Sequence, residues 1–146
     1  MIQASAEFDH PPAAVFAAIS DIAAHASWQR GIESIDVVAG DGRSAGTRFR
    51  VRVVESGLEL DLEGEVAECR APDRLRHVLA NKEATLDVQV DLTDVDSGAR
   101  TRLDYRAEIK IKSFALKMLR GMIESKLGEK AVDDMRSLAR HLDARG

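Results

Sequence analysis

Between Ile32 and Lys112 the chain alternates. Apolar and polar residues take turns through six runs, and a period of two is that of a strand with one dry and one wet face. Ile32 to Ala39 is the first run. Thr47 to Val54 then sets Thr47, Phe49, Val51 and Val53 against Arg48, Arg50 and Arg52. Leu58 to Cys69 sets Leu58, Leu60, Leu62, Gly64 and Val66 against Glu59, Asp61, Glu63 and Glu65. Arg74 to Ala80 follows, then Leu86, Val88, Val90 and Leu92 against Asp87, Gln89 and Asp91. Arg100 to Lys112 turns Leu103, Tyr105, Ala107, Ile109 and Ile111 inward and Arg102, Arg106 and Lys110 outward. Turn residues separate the runs at Gly40–Gly46, Glu55–Gly57, Arg70–Asp73, Asn81–Glu83 and Asp94–Gly98. An arginine ladder beside a carboxylate ladder predicts an antiparallel neighbour pair, and the cations of the last run are expected to answer the acids of the run before it.

The flanks complete the architecture. Met1 to Asp9 alternates as a strand, and His10-Pro11-Pro12 stops it. Pro11 to Ile22 reads as a helix on Val15, Phe16 and Ile19, with Ala23 to Gln29 as a second short helix cut by Gly31. From Ser113, a candidate N-cap, to about Asp143, apolar residues recur every three or four positions, from Phe114 and Met118 to Leu138 and Leu142. Steps of four swing that stripe by roughly 200° along the helix. The swing predicts either a bend or break between residues 121 and 128, where Gly121 and Gly128 lie, or a continuous helix that wraps a twisted sheet and uses the glycines for close packing. The expectation is an α+β fold over residues 1–146 as a single domain. A curved seven-stranded antiparallel sheet lies wet on one side, with two short helices between its first and second strands. The long terminal helix covers its dry side and leaves room for a hydrophobic pocket.

Several functions drop out. The net charge of −4 and the absence of a basic stripe argue against a nucleic-acid partner. No apolar run approaches the ~20 residues of a transmembrane segment, and no signal-peptide pattern opens the chain. The single Cys69 cannot form an internal disulfide, which fits a cytoplasmic location. His10, His25, His77 and His141 are too scattered for a metal site, so no metal and no cofactor is expected. Cys69 has no evident base, and the glycines of Gly40–Gly46 lead to a strand instead of a helix, so neither nucleophilic catalysis nor phosphate cradling is indicated. A second copy of the chain stays open as a partner.

Candidate ligand-binding residues are those that alternation turns inward. His77 sits between Arg76 and Val78, so its imidazole can orient a ligand carbonyl or move a proton; otherwise it is a core histidine bonded to a neighbour, or turned outward by a bulge. Tyr105 can anchor a polar head or act as an acid, unless its hydroxyl is tied to local backbone. Trp28 packs the first helices on the sheet or lines the pocket. Phe49, Leu60 and Val88 would wall it, and Met118 and Met122 would form either an adaptable lid or plain core.

The opening Phe8-Asp9-His10-Pro11-Pro12-Ala13-Ala14-Val15-Phe16-Ala17-Ala18-Ile19-Ser20-Asp21, followed by Trp28, resembles the START/Bet v 1-like (SRPBCC) superfamily on its bacterial polyketide cyclase/dehydrase and lipid-transport branch. Ala71-Pro72-Asp73-Arg74 before a strand and the terminal helix fit as well. The resemblance covers the whole chain and implies a helix-grip fold. It also implies binding or transport of a small hydrophobic molecule (lipid, polyketide, isoprenoid or aromatic) between sheet and helix. Alternatives within the same likeness are a polyketide cyclase/dehydratase-like enzyme and a protein-interaction module with a closed core. Ala24-His25-Ala26-Ser27-Trp28 departs from the Tyr-Pro-like step of ubiquinone-binding relatives.

Overall fold

The computed structural model describes residues 1–55 and 58–145, with Leu58 by its backbone alone. The expected turn at Ser56-Gly57 and the inward side chain of Leu58 therefore lie outside the described residues. β1 (Ile2–Phe8) leads into α1 (Pro12–Ser20), whose Pro12 fills a first-turn position that needs no N–H donor. Val15, Phe16, Ala18 and Ile19 of α1 are buried. The second short helix expected there is a 3₁₀ helix, Ile22–Ser27. The meander then runs β2 (Ile32–Ala39), β3 (Arg48–Glu55), β4 (Leu58–Arg70), β5 (Arg74–Ala80), β6 (Ala84–Asp94) and β7 (Thr101–Ile111). One antiparallel sheet results, ordered β1-β7-β6-β5-β4-β3-β2. Bulges interrupt the pairing of edge strand β2 with β3 at Ile32/Ser34 and at Val37/Ala39, and that of β4 with β5 at Val66/Glu68.

Charge pairing sets the register on the wet face. Arg48, Arg50 and Arg52 stand opposite Glu65, Glu63 and Asp61, and Arg52 closes on Asp61 at 2.9 Å. The expected answer of β7 to β6 is met only in part, by Arg106, which approaches Asp91 at 3.9 Å. Asp87 stands opposite Glu108, and Asp91 opposite Asp104. Asp104 and Glu108 share the outward parity of Arg102 and Arg106, so a cation count along β7 overstated its positive face. The acids of β6 bond chiefly to β5. Arg76 grips Asp87 through Nε at 2.9 Å and Nη2 at 2.6 Å, and Arg74 Nε meets Asp91 at 2.7 Å.

The C-terminal segment comprises α2 (Phe114–Lys117) and α3 (Arg120–Arg145). Ser113 caps α2, its hydroxyl accepting the Leu116 N–H at 3.5 Å. The break falls at Met118–Leu119, before the 121–128 window, and α3 runs unbroken through Gly121 and Gly128. Only its later part forms a buried stripe, on Ala131, Asp134, Met135, Leu138 and Leu142, joined to the core by Phe8, Phe16, Leu92 and Leu103. Phe114, Met118, Leu119 and Met122, expected on that stripe, are exposed. The interruption resets the helical phase: Met122 falls on the exposed side of the first turns of α3, whereas Ile123 and Leu127 are half-buried. His10 Nε2 meets Asp143 Oδ1 at 2.8 Å, which fixes the far end of α3 to the entrance of α1.

Candidate functional site

The interior site starts from the 3₁₀ helix. At three residues per turn, side chains three apart lie above one another. His25 and Trp28 accordingly share a side, with ring centroids 5.0 Å apart. His77 of β5 reaches the same cluster, 6.0 Å from His25 and 5.7 Å from Phe49, whose ring meets it edge-on at 68°. Phe49 stands opposite Gly64 in the β3–β4 register. A Cβ at position 64 would collide with the Phe49 ring, so glycine is what admits that ring to the sheet surface.

The two imidazoles have different partners. His25 Nε2 lies 2.7 Å from the Ile19 carbonyl oxygen; an oxygen of that kind only accepts, so this nitrogen carries the proton. Burial lowers the pKa of His25, against the opposing pull of the Ile19 bond. Burial, followed by the neighbouring His25, depresses His77 to about 3. Both rings are therefore neutral at physiological pH. Among the described residues His77 Nε2 and Trp28 Nε1 are buried without a hydrogen-bond partner. Such orphans are costly in an apolar surrounding and call for an explanation.

Tyr105 faces the same concave side, opposite Val90 on β6 and Ala4 on β1. Burial, then the field of Asp134, pushes its hydroxyl up to about 12. Asp134 is a buried acid on the apolar stripe of α3; it accepts the Arg30 backbone N–H at 3.0 Å and Lys130 Nζ at 2.6 Å. Burial raises the pKa of Asp134, while Lys130 opposes the shift. Arg30 and Lys130 also approach Glu55 at 3.8 and 4.0 Å, so this ion cluster clips α3 to the end of β3.

Of the sequence candidates, Trp28, Phe49 and His77 come together, with Val88 directly opposite His77 on β6. Leu60 is half-buried on the concave face toward the far end of β4, where it pairs with Val53. Met118 and Met122 stand in solvent at the start of the C-terminal segment and join none of these contacts. His25 and Asp134 were missed. The His25/Trp28 spacing of three, and a lone acid inside an apolar helical stripe, were the signals that could have found them. Leu62, Leu79, Leu86, Val88 and Ile109 all turn inward yet stay half-buried, so solvent reaches this part of the concave face. Two outer depressions have a different chemistry. One of roughly 680 Å³ is lined mainly by charged residues such as Arg50, Asp61 and Lys82, and one of roughly 480 Å³ lies on the outer side of α3. Neither contains the orphaned nitrogens, and charged side chains line both. Among the described residues no cluster of His, Cys, Asp and Glu could hold a metal ion, and no helix is long and apolar enough to cross a membrane.

Solved structures share this fold from end to end. The protein TTHA0849 of Thermus thermophilus matches with 21% identity, coverage of 99% of this chain and 98% of that one, and a TM-score of 0.79. A START superfamily protein from Mycobacterium smegmatis matches at 15% identity, 99% and 98% coverage and a TM-score of 0.78. The ZhuI aromatase/cyclase from Streptomyces sp. R1128 matches at 12% identity, 99% and 93% coverage and a TM-score of 0.80. No curated protein matches by sequence. A match of residues 1–143 to the family model for polyketide cyclase / dehydrase and lipid transport, in line with the proline-marked opening and the long terminal helix, shows that the chain belongs to that family.

Proposed function

We propose that the protein binds a small, mainly apolar molecule on the concave face of the sheet, and that the molecule carries a neutral oxygen function held by Trp28 and His77. One observation carries this reading: Trp28 Nε1 and His77 Nε2 are buried and unpartnered, and both rings lie against His25. The indole N–H donates only, whereas an unprotonated ring nitrogen accepts. A hydroxyl or phenol answers both, taking one hydrogen bond and giving one. A carboxylate fits poorly, since neither imidazole is charged. Leu60, Val88 and the half-buried leucines would supply apolar walls. Carriage is favoured over acid–base catalysis because both titratable candidates are badly tuned for neutral pH. His77 at about 3 is a weak base, and Tyr105 at about 12 is a weak acid.

Trp28 is the only tryptophan, so its fluorescence reports on the site directly. Titration with 1-naphthol should give a saturable change, with affinity at least about tenfold above that for naphthalene, the worth of two modest hydrogen bonds. His77→Leu should erase the preference while sparing the binding of naphthalene. Equal affinities for the two compounds, or no saturable change with either, would refute the reading.

A further inference from the structure

All six lysines of the chain lie between Lys82 and Lys130. Lys130 belongs to the ion cluster with Asp134 and Glu55. The other five, Lys82, Lys110, Lys112, Lys117 and Lys126, are exposed and enter no ion pair among the described residues. They gather at one end of the molecule. The Lys112 N–H donates to the Glu83 carbonyl at 2.7 Å, which joins the turn bearing Lys82 to the end of β7. Lys117 closes α2, and Lys126 lies in the second turn of α3. Between Lys110 and Lys126 five cations meet one anion, Glu124, in a chain whose net charge is −4.

In the middle of these lysines stand the most exposed large apolar residues of this segment. Phe114 is 79% exposed and Met118 78%, with Met122 at 50% and Leu119 at 45%. A group of exposed apolar residues bordered mainly by cations, with Glu83 and Glu124 the acids among them, marks an interaction surface. The side chains protrude, and they line neither of the two outer depressions described above. A bilayer interface accepts protruding apolar groups in any arrangement, and lysine stems can lie along such groups while their ammonium ends reach lipid phosphates. Arg120, the one arginine of the stretch, is already held by Glu124 at 2.9 Å and by the Ile109 carbonyl at 3.2 Å.

We propose that this end of the molecule, Phe114, Met118, Leu119 and Met122 within their ring of lysines, docks onto the surface of a bilayer containing anionic phospholipid. The half-buried inner residues Leu86 and Ile109, paired across β6 and β7, lie beside the same end, so docking sets the apolar concave face next to the lipid. The proposal rests on surface residues alone. A chain with no guest in its interior would dock equally well, so the two readings fail separately.

Co-sedimentation with vesicles tests it. The wild-type chain should partition onto equimolar phosphatidylcholine and phosphatidylglycerol, stay free of pure phosphatidylcholine, and come off as sodium chloride is raised. Each lysine near an anionic surface is worth about fivefold, so Lys112→Gln/Lys117→Gln/Lys126→Gln should lower the partition coefficient by more than about tenfold. Phe114→Ser/Met118→Ser should lower it comparably. Arg48→Gln/Arg140→Gln/Arg145→Gln removes the same charge from other exposed positions and should leave binding within about twofold. All these side chains are exposed, so unchanged melting confirms that each variant folds. Equal partition onto both vesicle types, equal losses for the lysine and arginine sets, or no loss on removing the apolar pair would overturn the proposal. So would retention on polyglutamate or polyuridylate by a chain that ignores both vesicles, since that result makes the patch a site for acidic protein or nucleic acid.

Discussion

His77 shows what a single residue contributes. Unfolded, it titrates near 6.5; folded, near 3. Below pH 6.5 the unfolded chain takes up a proton that the folded chain refuses, so the stability conferred by a neutral His77 is complete above 6.5 and lost as pH falls toward 3. His25 is shifted in the same direction by its own burial. Urea unfolding at pH 7 and pH 4 should show the wild type losing about 2–3 kcal/mol more than His77→Leu. Equal losses would mean that the ring reaches water in the folded state. The inward position of His77 was readable because strand alternation is a strict two-valued rule, and the same rule placed Phe49, Val88 and Tyr105. Its companion His25 was not readable by that rule. It lies on a 3₁₀ helix, and contact between His25 and a strand residue far along the chain depends on how the 3₁₀ helix packs over the sheet.

The C-terminal segment separates periodicity from burial. Its apolar spacing was legible, and so was the cap at Ser113, but spacing identifies a face without saying what lies against it. Leu138 and Met118 occupied equivalent places in that pattern. Leu138 is 1% exposed in the core, whereas Met118 is 78% exposed at the break before α3. Leu138→Ala should therefore cost about 2–5 kcal/mol, the range for a large residue removed from a packed core. Met118→Ala should stay within about 0.5 kcal/mol, as surface changes do. Denaturant midpoints for the two variants check both, and comparable losses would mean that α2 and the start of α3 pack onto the sheet after all. Of the two alternatives at the glycines the continuous helix holds, because a weak helix former permits a break without forcing one; Gly121 is not a close-packing point, since it has no neighbour within 4 Å of where a Cβ would be.

Across the molecule, arginines and lysines divide the work. Arginines knit the wet face, as Arg52 does with Glu33, Glu59 and Asp61 at 3.3, 3.4 and 2.9 Å. Lysines gather at the end bearing α2. Exposed ion pairs contribute little each, and the facing acids Asp87/Glu108 and Asp91/Asp104 repel, so screening should weaken attraction and repulsion together. Unfolding free energy should change by less than about 1 kcal/mol when salt is raised well above physiological strength. A drop of several kcal/mol in urea titrations would show instead that the ladders hold the sheet together. The bulges of β2 bear on how copies of this chain meet one another. β1 is backed by α3, and β2, with the 3₁₀ helix packed against it, is the far border of the sheet. Two irregularities within its eight residues break the even spacing that a recruited strand would have to match. Crowded copies are thereby kept from stitching their sheets into a continuous ribbon, even though each has an unfinished border.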